Sequence, residues 1–209
     1  PPANPLPAET RALLQEFLVN NAEALRLTHE AASFPQCRFP IDFNKAPNVD
    51  VPHLAAIRTL TRLTGLQALY AADTQDPEAA TRALLDCLAL AQSLCNEPLI
   101  ISQVVRFGAA QTADTALQEV LARVSLSETQ LAALQAAFAQ QDDIPPIVNA
   151  LQGERWAFVD KNGEPSRGAA GTIKDVTALL EAAAKPFPEF LTVARSLQGS
   201  ATARTVQSL

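Results

Sequence analysis

The sequence predicts an all-α protein, an irregular stack of antiparallel helical hairpins in the manner of a tetratricopeptide-like bundle, with about seven or eight helices and no sheet. Three observations lead there. Ala, Leu and Gln, which lose little side-chain freedom in a helix, dominate the composition, while aromatics make up only 5%. Apolar residues recur at helical spacing along most of the chain. Proline and capping residues punctuate these stretches at hairpin intervals. A chain of 209 residues can bury about 70% of the surface its unfolded form exposes, so no metal or disulfide is needed as a staple.

The first helix is expected from near Pro7, which suits a first helical position, up to the residues before Pro35. Leu14, Leu18, Leu25 and Ala32 mark its apolar stripe, widened by Phe17 and Ala24. The segment FPQCRFPIDFNKAPNVDVP follows as a long connection, its phenylalanines expected to pin it against the helices. The second helix, from about Pro52 to Asp73, has apolar residues at every third position: Val51, Leu54, Ile57, Leu60, Leu63, Leu66 and Leu69. Each step of three lags a full turn by about 60°, so these residues wind around the helix and predict a hub covered on all sides. Asp76, Pro77 and Glu78 read as an N-cap, a first helical position and a dipole-complementing charge for a third helix, with Ala80, Leu84, Cys87, Leu88, Ala91 and Cys95 inward. A fourth helix opens after Pro98. A capping box of Ser127 and Gln130 starts a fifth, with Leu126 stapling the chain that leads in. A sixth follows Pro145 and Pro146. Residues 1–160 are thus expected to form a main domain, 161–171 a flexible loop, and 172–209 a smaller helical unit packed on it.

A net charge of −6 and the absence of clustered Lys and Arg argue against nucleic-acid binding, which needs cations to displace counterions. The same charge disfavours anionic lipid, and no apolar run approaches the roughly 18 residues that span a bilayer. The chain has no Met and opens PPANPLP, from which a trimmed N-terminus is expected, with any signal or anchor lost in the trimming. Cys87 and Cys95 are separated by about 12 Å of helical rise, beyond the roughly 7 Å reach of a disulfide. Cys37 could pair with either; otherwise the three act as small buried apolar groups.

The stretch LQALYAADTQDPEAATRALLDCLALA resembles one tetratricopeptide-type hairpin, which supports helical-hairpin packing but not membership of that repeat family. A longer resemblance covers about residues 20–160. NAEALRLTHEAA, CRFPIDF, VPHLAAIRTLTRL, EPLIISQVVR and LQGERWAFVD, in that order, are similar to an uncharacterised helical protein family of planctomycete-type bacteria. The resemblance implies an extracytoplasmic, cell-envelope location, since members of that family often carry an N-terminal membrane anchor. It implies no activity.

His29 and His53 are the only histidines, and with Cys37 and Asp42 they could converge around the first long loop. Nothing there has recognised ligand spacing, so no metal and no cofactor is expected, and the histidines read as hydrogen-bonding groups. Cys37 beside Arg38 meets one condition for a nucleophile, but no elbow or oxyanion motif accompanies it. Arg58 and Arg62 lie one turn apart, with Arg38 and Arg106 as further cations. They form either a salt-bridge network with Glu30, Asp42, Asp86 or Glu97, or an anion-binding cleft that His29 and His53 would join. Glu154, Arg155 and Trp156 form a third cluster, in which an exposed tryptophan would mark a partner surface. The function these features favour is a non-enzymatic helical interaction or scaffold domain with another protein as partner. The alternative is a small-anion or small-ligand-binding domain with an arginine-lined cleft.

Overall fold

The computed structural model describes residues 4–45, 49–142, 145–159, 170–183, 192–193 and 196–197. The α-helices among them are α1 (Ala8–Asn20), α2 (Ala22–Ala32), α3 (Pro52–Asp73), α4 (Pro77–Gln92), α5 (Ile100–Leu121), α6 (Glu128–Ala139), α7 (Pro145–Ala157) and α8 (Ala170–Ala182). Short 3-10 turns occur at Phe43–Lys45 and Gln140–Asp142, and there is no strand among the described residues. The fold is all-α. The expected boundary at 160, most of the loop at 161–171 and most of the 172–209 unit beyond residue 183 lie outside the described residues.

The first expected helix is two. At Asn21 the backbone leaves the helical region (φ −110°, ψ 14°), and its Nδ2 donates to the Phe17 carbonyl at 2.8 Å. An asparagine that offers its own amide to the helix backbone competes with the helix and ends it. The α3–α4 turn closes as a Schellman motif, Asp76 N–H to Ala71 O at 2.8 Å and Gln75 N–H to Ala72 O at 3.1 Å. That closure puts Gln75 at φ 63°, a conformation that favours glycine. The Gln75 amide offsets this by donating to Arg123 O at 3.0 Å. Asp76 then caps α4, accepting from Ala79 N–H at 2.9 Å, and the Ser127–Gln130 capping box forms on α6 as expected.

The chain divides into two compact units, one of Pro1–Cys37, His53–Ser93 and Val105–Asp142, the other of Arg38–Pro52, Leu94–Val104 and Asp143–Leu209. In the first unit the hub is α4, not α3. Along α4 only Glu78 and Arg82 are exposed. Along α3, by contrast, Pro52, Ala55, Ala56, Arg58, Thr59, Arg62 and Leu66 form an exposed side. The buried side of α3 belongs to Leu54, Ile57, Thr61, Leu63, Thr64, Gly65, Ala68, Ala71 and Ala72. The physical reason is the winding itself. Of the apolar residues set at every third position, Leu66 rotates out to solvent, whereas Thr61, Thr64, Gly65, Ala68, Ala71 and Ala72 recur at three and four and keep facing inward. Thr61 and Thr64 remain satisfied when buried, donating to the Ile57 carbonyl at 2.7 Å and the Thr61 carbonyl at 2.9 Å. Ala68, Ala71 and Ala72 meet Ala80, Ala83 and Leu84 of α4, with Ala116, Val120 and Leu134 completing the cluster. The loop phenylalanines do not all pin the loop, since Phe34 is 67% and Phe43 is 43% exposed.

In the second unit α7 packs on α8, with Ile147, Ala150, Leu151, Val176 and Leu179 buried. Gly153 of α7 lies so close to the chain at Pro98 that an added Cβ would stand 1.9 Å from the Pro98 carbonyl oxygen. EPLIISQVVR and LQGERWAFVD, far apart in sequence, meet at this contact.

Two glycine substitutions should therefore differ in sign. At Gly65 a Cβ would make ordinary contacts, 3.6 Å to Thr112 Cγ2 and 3.8 Å to Ala116 Cβ. Gly65→Ala should raise stability by about 0.5–1 kcal/mol through helix propensity. Gly153→Ala should lower it by about 1–3 kcal/mol through overpacking against backbone. Chemical denaturation of the three proteins checks both.

Candidate functional site

A groove of about 550 Å³ lies in the first unit between the α1–α2 arm and the α3–α4 hairpin. Leu18, Val19, Ala22 and Leu25 line it from the arm, and Tyr70, Ala71, Ala79 and Ala83 from the hairpin. Its polar groups are Gln15, Gln67 and Thr74 together with Arg26, His29, Asp76, Arg82 and Asp86. The volume falls in the range of binding clefts, and an apolar lining with few polar groups is what such clefts share.

Charge clamps tie the arm to the hairpin at two places. Asp73 at the end of α3 accepts from the Leu6 N–H at 2.7 Å and from Arg11 Nε at 2.6 Å. Its side chain is 1% exposed. Burial pushes this carboxyl up, but the Leu6 amide and the Arg11 guanidinium together outweigh it and hold the pKa below the usual carboxylate value. At the other clamp His29 Nδ1 of α2 stands 3.1 Å from each Asp86 oxygen of α4. Here burial wins, and the Asp86 carboxyl sits above its usual value although His29, and Arg82 more weakly, favour its charge.

The residues singled out in the sequence are scattered. His29 lies on the groove, paired with Asp86, which sequence reasoning had offered to the arginines. His53 opens α3 and is half-buried. Arg58 and Arg62 occupy the exposed side of α3, and Arg38 is exposed in the second unit; among the described residues none of the three forms a salt bridge. Arg106 is 1% exposed, with Nη2 donating to the Gln141 carbonyl at 2.7 Å and its guanidinium 5.3 Å above the Phe107 ring. Of the three cysteines, Cys37 is exposed, against the expectation of three buried thiols, and Cys95 is half-buried. Cys87 is buried, its Sγ donating to the Thr61 carbonyl at 3.7 Å, and desolvation pushes the thiol up to about 11. Such a thiol is a packing group, not a nucleophile. Among the described residues no three His, Cys, Asp or Glu side chains gather as a metal site.

Glu154 has a structural task. Its Oε1 accepts from the Ile100 N–H at 3.2 Å, so α7 caps the start of α5, and burial raises its carboxyl pKa. Trp156 is 74% exposed. Sequence reasoning missed the groove, because its clamps join residues 62 and 57 positions apart that share no motif. Comparison with protein-family models, curated proteins and solved structures finds no match for this chain.

The clamps respond oppositely to pH. Stability from Asp73, whose folded pKa is depressed, is present above the usual carboxylate range and lost as pH falls through the folded value. Stability linked to Asp86, whose folded pKa is raised, is present at low pH and lost as pH rises through the folded value. Melting curves from about pH 3 to about pH 7 should show Asp73→Asn removing an acid-side loss and Asp86→Asn removing a loss on the rising side. His29→Ala should strip Asp86 of its partner and lower stability near neutrality by about 1–2 kcal/mol, read by denaturation.

Proposed function

We propose that this chain is a non-enzymatic helical interaction domain whose groove between α1–α2 and α3–α4 receives an amphipathic helix of a partner protein. The observation that carries the reading is the shape of the groove together with its lining. It is bordered along the arm from Gln15 to His29, about 21 Å of helical rise, and has a volume of about 550 Å³. A groove of that length takes a row of side chains at i, i+4 and i+7 while the rest of the partner helix lies over it. Arg26 and Arg82 at its edge form salt bridges with exposed glutamates on their own helices, and pairs of that kind are weak enough to exchange. Large apolar side chains also stand out from the arm, with Leu13 62%, Phe17 48% and Leu27 50% exposed.

The anion-binding alternative has less behind it. Arg106 is buried against backbone carbonyls, and Arg58 and Arg62 face solvent from α3. A cell-envelope location rests on the family resemblance of the sequence segments, and a tetratricopeptide-like character on the single α3–α4 hairpin.

The test is an NMR titration of the groove methyls of Leu18, Val19, Leu25, Ala71 and Ala83 with leucine-faced amphipathic peptides and, separately, with palmitate. Peptide-induced shifts that are abolished by Ala22→Phe, at an exposed lining position, are the expected result. Shifts with palmitate alone would replace the protein partner by a lipid chain, and no shift with either would sink the reading.

A further inference from the structure

The arm that walls the groove is attached sparingly. Leu18 is the buried residue of α1 and Thr28 that of α2, and Thr28 spends its hydroxyl on the Ala24 carbonyl of its own helix. Besides Leu18, Thr28 and the half-buried Leu14, Ala24 and Leu25, the arm is held by the pair of clamps, Arg11 and the Leu6 amide on Asp73, and His29 on Asp86. Between them, at Asn20–Asn21, the helix is broken. On lifting the arm both carboxylates would regain water, so opening strands no charge in the interior.

We propose that the α1–α2 arm is a movable flap forming one wall of the groove, hinged at Asn20–Asn21 and latched at its two ends by the Asp73 and Asp86 clamps, so that release of the clamps widens the groove for a partner helix. The inference rests on the groove being the binding site and adds how access to it is regulated. The hinge is a local one. α4, enclosed and carrying the core cluster, stays folded while the arm moves.

Native-state hydrogen exchange on the whole chain, wild type and the variants Arg11→Ala and His29→Ala, tests the flap without any ligand. Amides of α1 and α2 should exchange through a shared opening that leaves α4 protected. Each variant should speed that opening about tenfold, the equivalent of one lost charge-assisted hydrogen bond. Exchange of the arm only together with α4, or equal acceleration of both, overturns the flap. Association kinetics with a leucine-faced amphipathic peptide supply the second readout. A rate raised in the clamp variants supports gating. A peptide that binds the groove at the same rate in all three proteins overturns gating and leaves the groove reading standing. Absence of peptide binding in every variant overturns both.

Discussion

The enclosure of α4 is the constraint that the first unit is built to satisfy. A helix with only two exposed residues along its length must be approached from nearly every direction, and it can be approached closely only by small side chains. Ala68, Ala71 and Ala72 of α3 supply one such surface and Ala113 and Ala116 of α5 another, while Ala80 and Ala83 keep α4 itself slim. Cys87 belongs to the same scheme. Its sulfur sits between the main-chain oxygens of Thr61 and Ala109, where a larger side chain would push two helices apart. Gln141 extends the scheme to the end of α6, its amide donating to the carbonyls of Leu88 and Ala137 at 3.4 Å.

That enclosure also explains the electrostatics. Asp86 is carried on the helix with the least room for a charge, and its side chain is 9% exposed. A carboxylate there needs a hydrogen-bonding partner, and α2 brings His29 to it. The His29–Asp86 contact between the arm and α4 is therefore polar where the core clusters around α4 are apolar. A polar contact at the edge of a groove can be exchanged for water, which a buried methyl cannot, so the compact core and the loosely held arm follow from one packing decision.

The sequence made local features legible and non-local ones not. Asp76–Pro77–Glu78 and Ser127–Gln130 fixed two helix starts because a cap is written in adjacent residues. The helical class was legible from composition and period. The break at Asn21 was missed because Leu14, Leu18 and Leu25 keep helical spacing across it, and two asparagines are a weaker signal than a proline. The hub was misassigned because leucine was weighted above alanine and glycine. Packing inverted that weighting, since close approach selects small residues and leaves Leu66 of α3 37% exposed. Of the residues singled out for a site, His29 lies on the groove, and its partner Asp86 lies 57 residues away on another helix, which no local pattern could show. Arg106, read as a cation of either a salt-bridge network or a cleft, is buried and donates to the Gln141 carbonyl.

The distribution of chemistry over the molecule bears on what kind of protein this is. A hydrolytic or transfer enzyme places its nucleophile or base where substrate can reach it and perturbs its pKa toward that task. Among the perturbed groups here, Asp86 lies on the groove beside His29, while three others have structural tasks. The Cys87 thiol is raised and sealed, Glu154 holds the first turn of α5, and Asp73 is committed to the Leu6 amide and Arg11. Each of these shifts has a structural cause and a structural consequence. What the arm leaves exposed instead is hydrocarbon, in Leu13, Phe17, Val19 and Leu27, on helices that contribute one buried residue each to the fold. Apolar surface of that extent on an element so lightly anchored has little to do with holding the fold together, and its natural counterpart is another apolar surface.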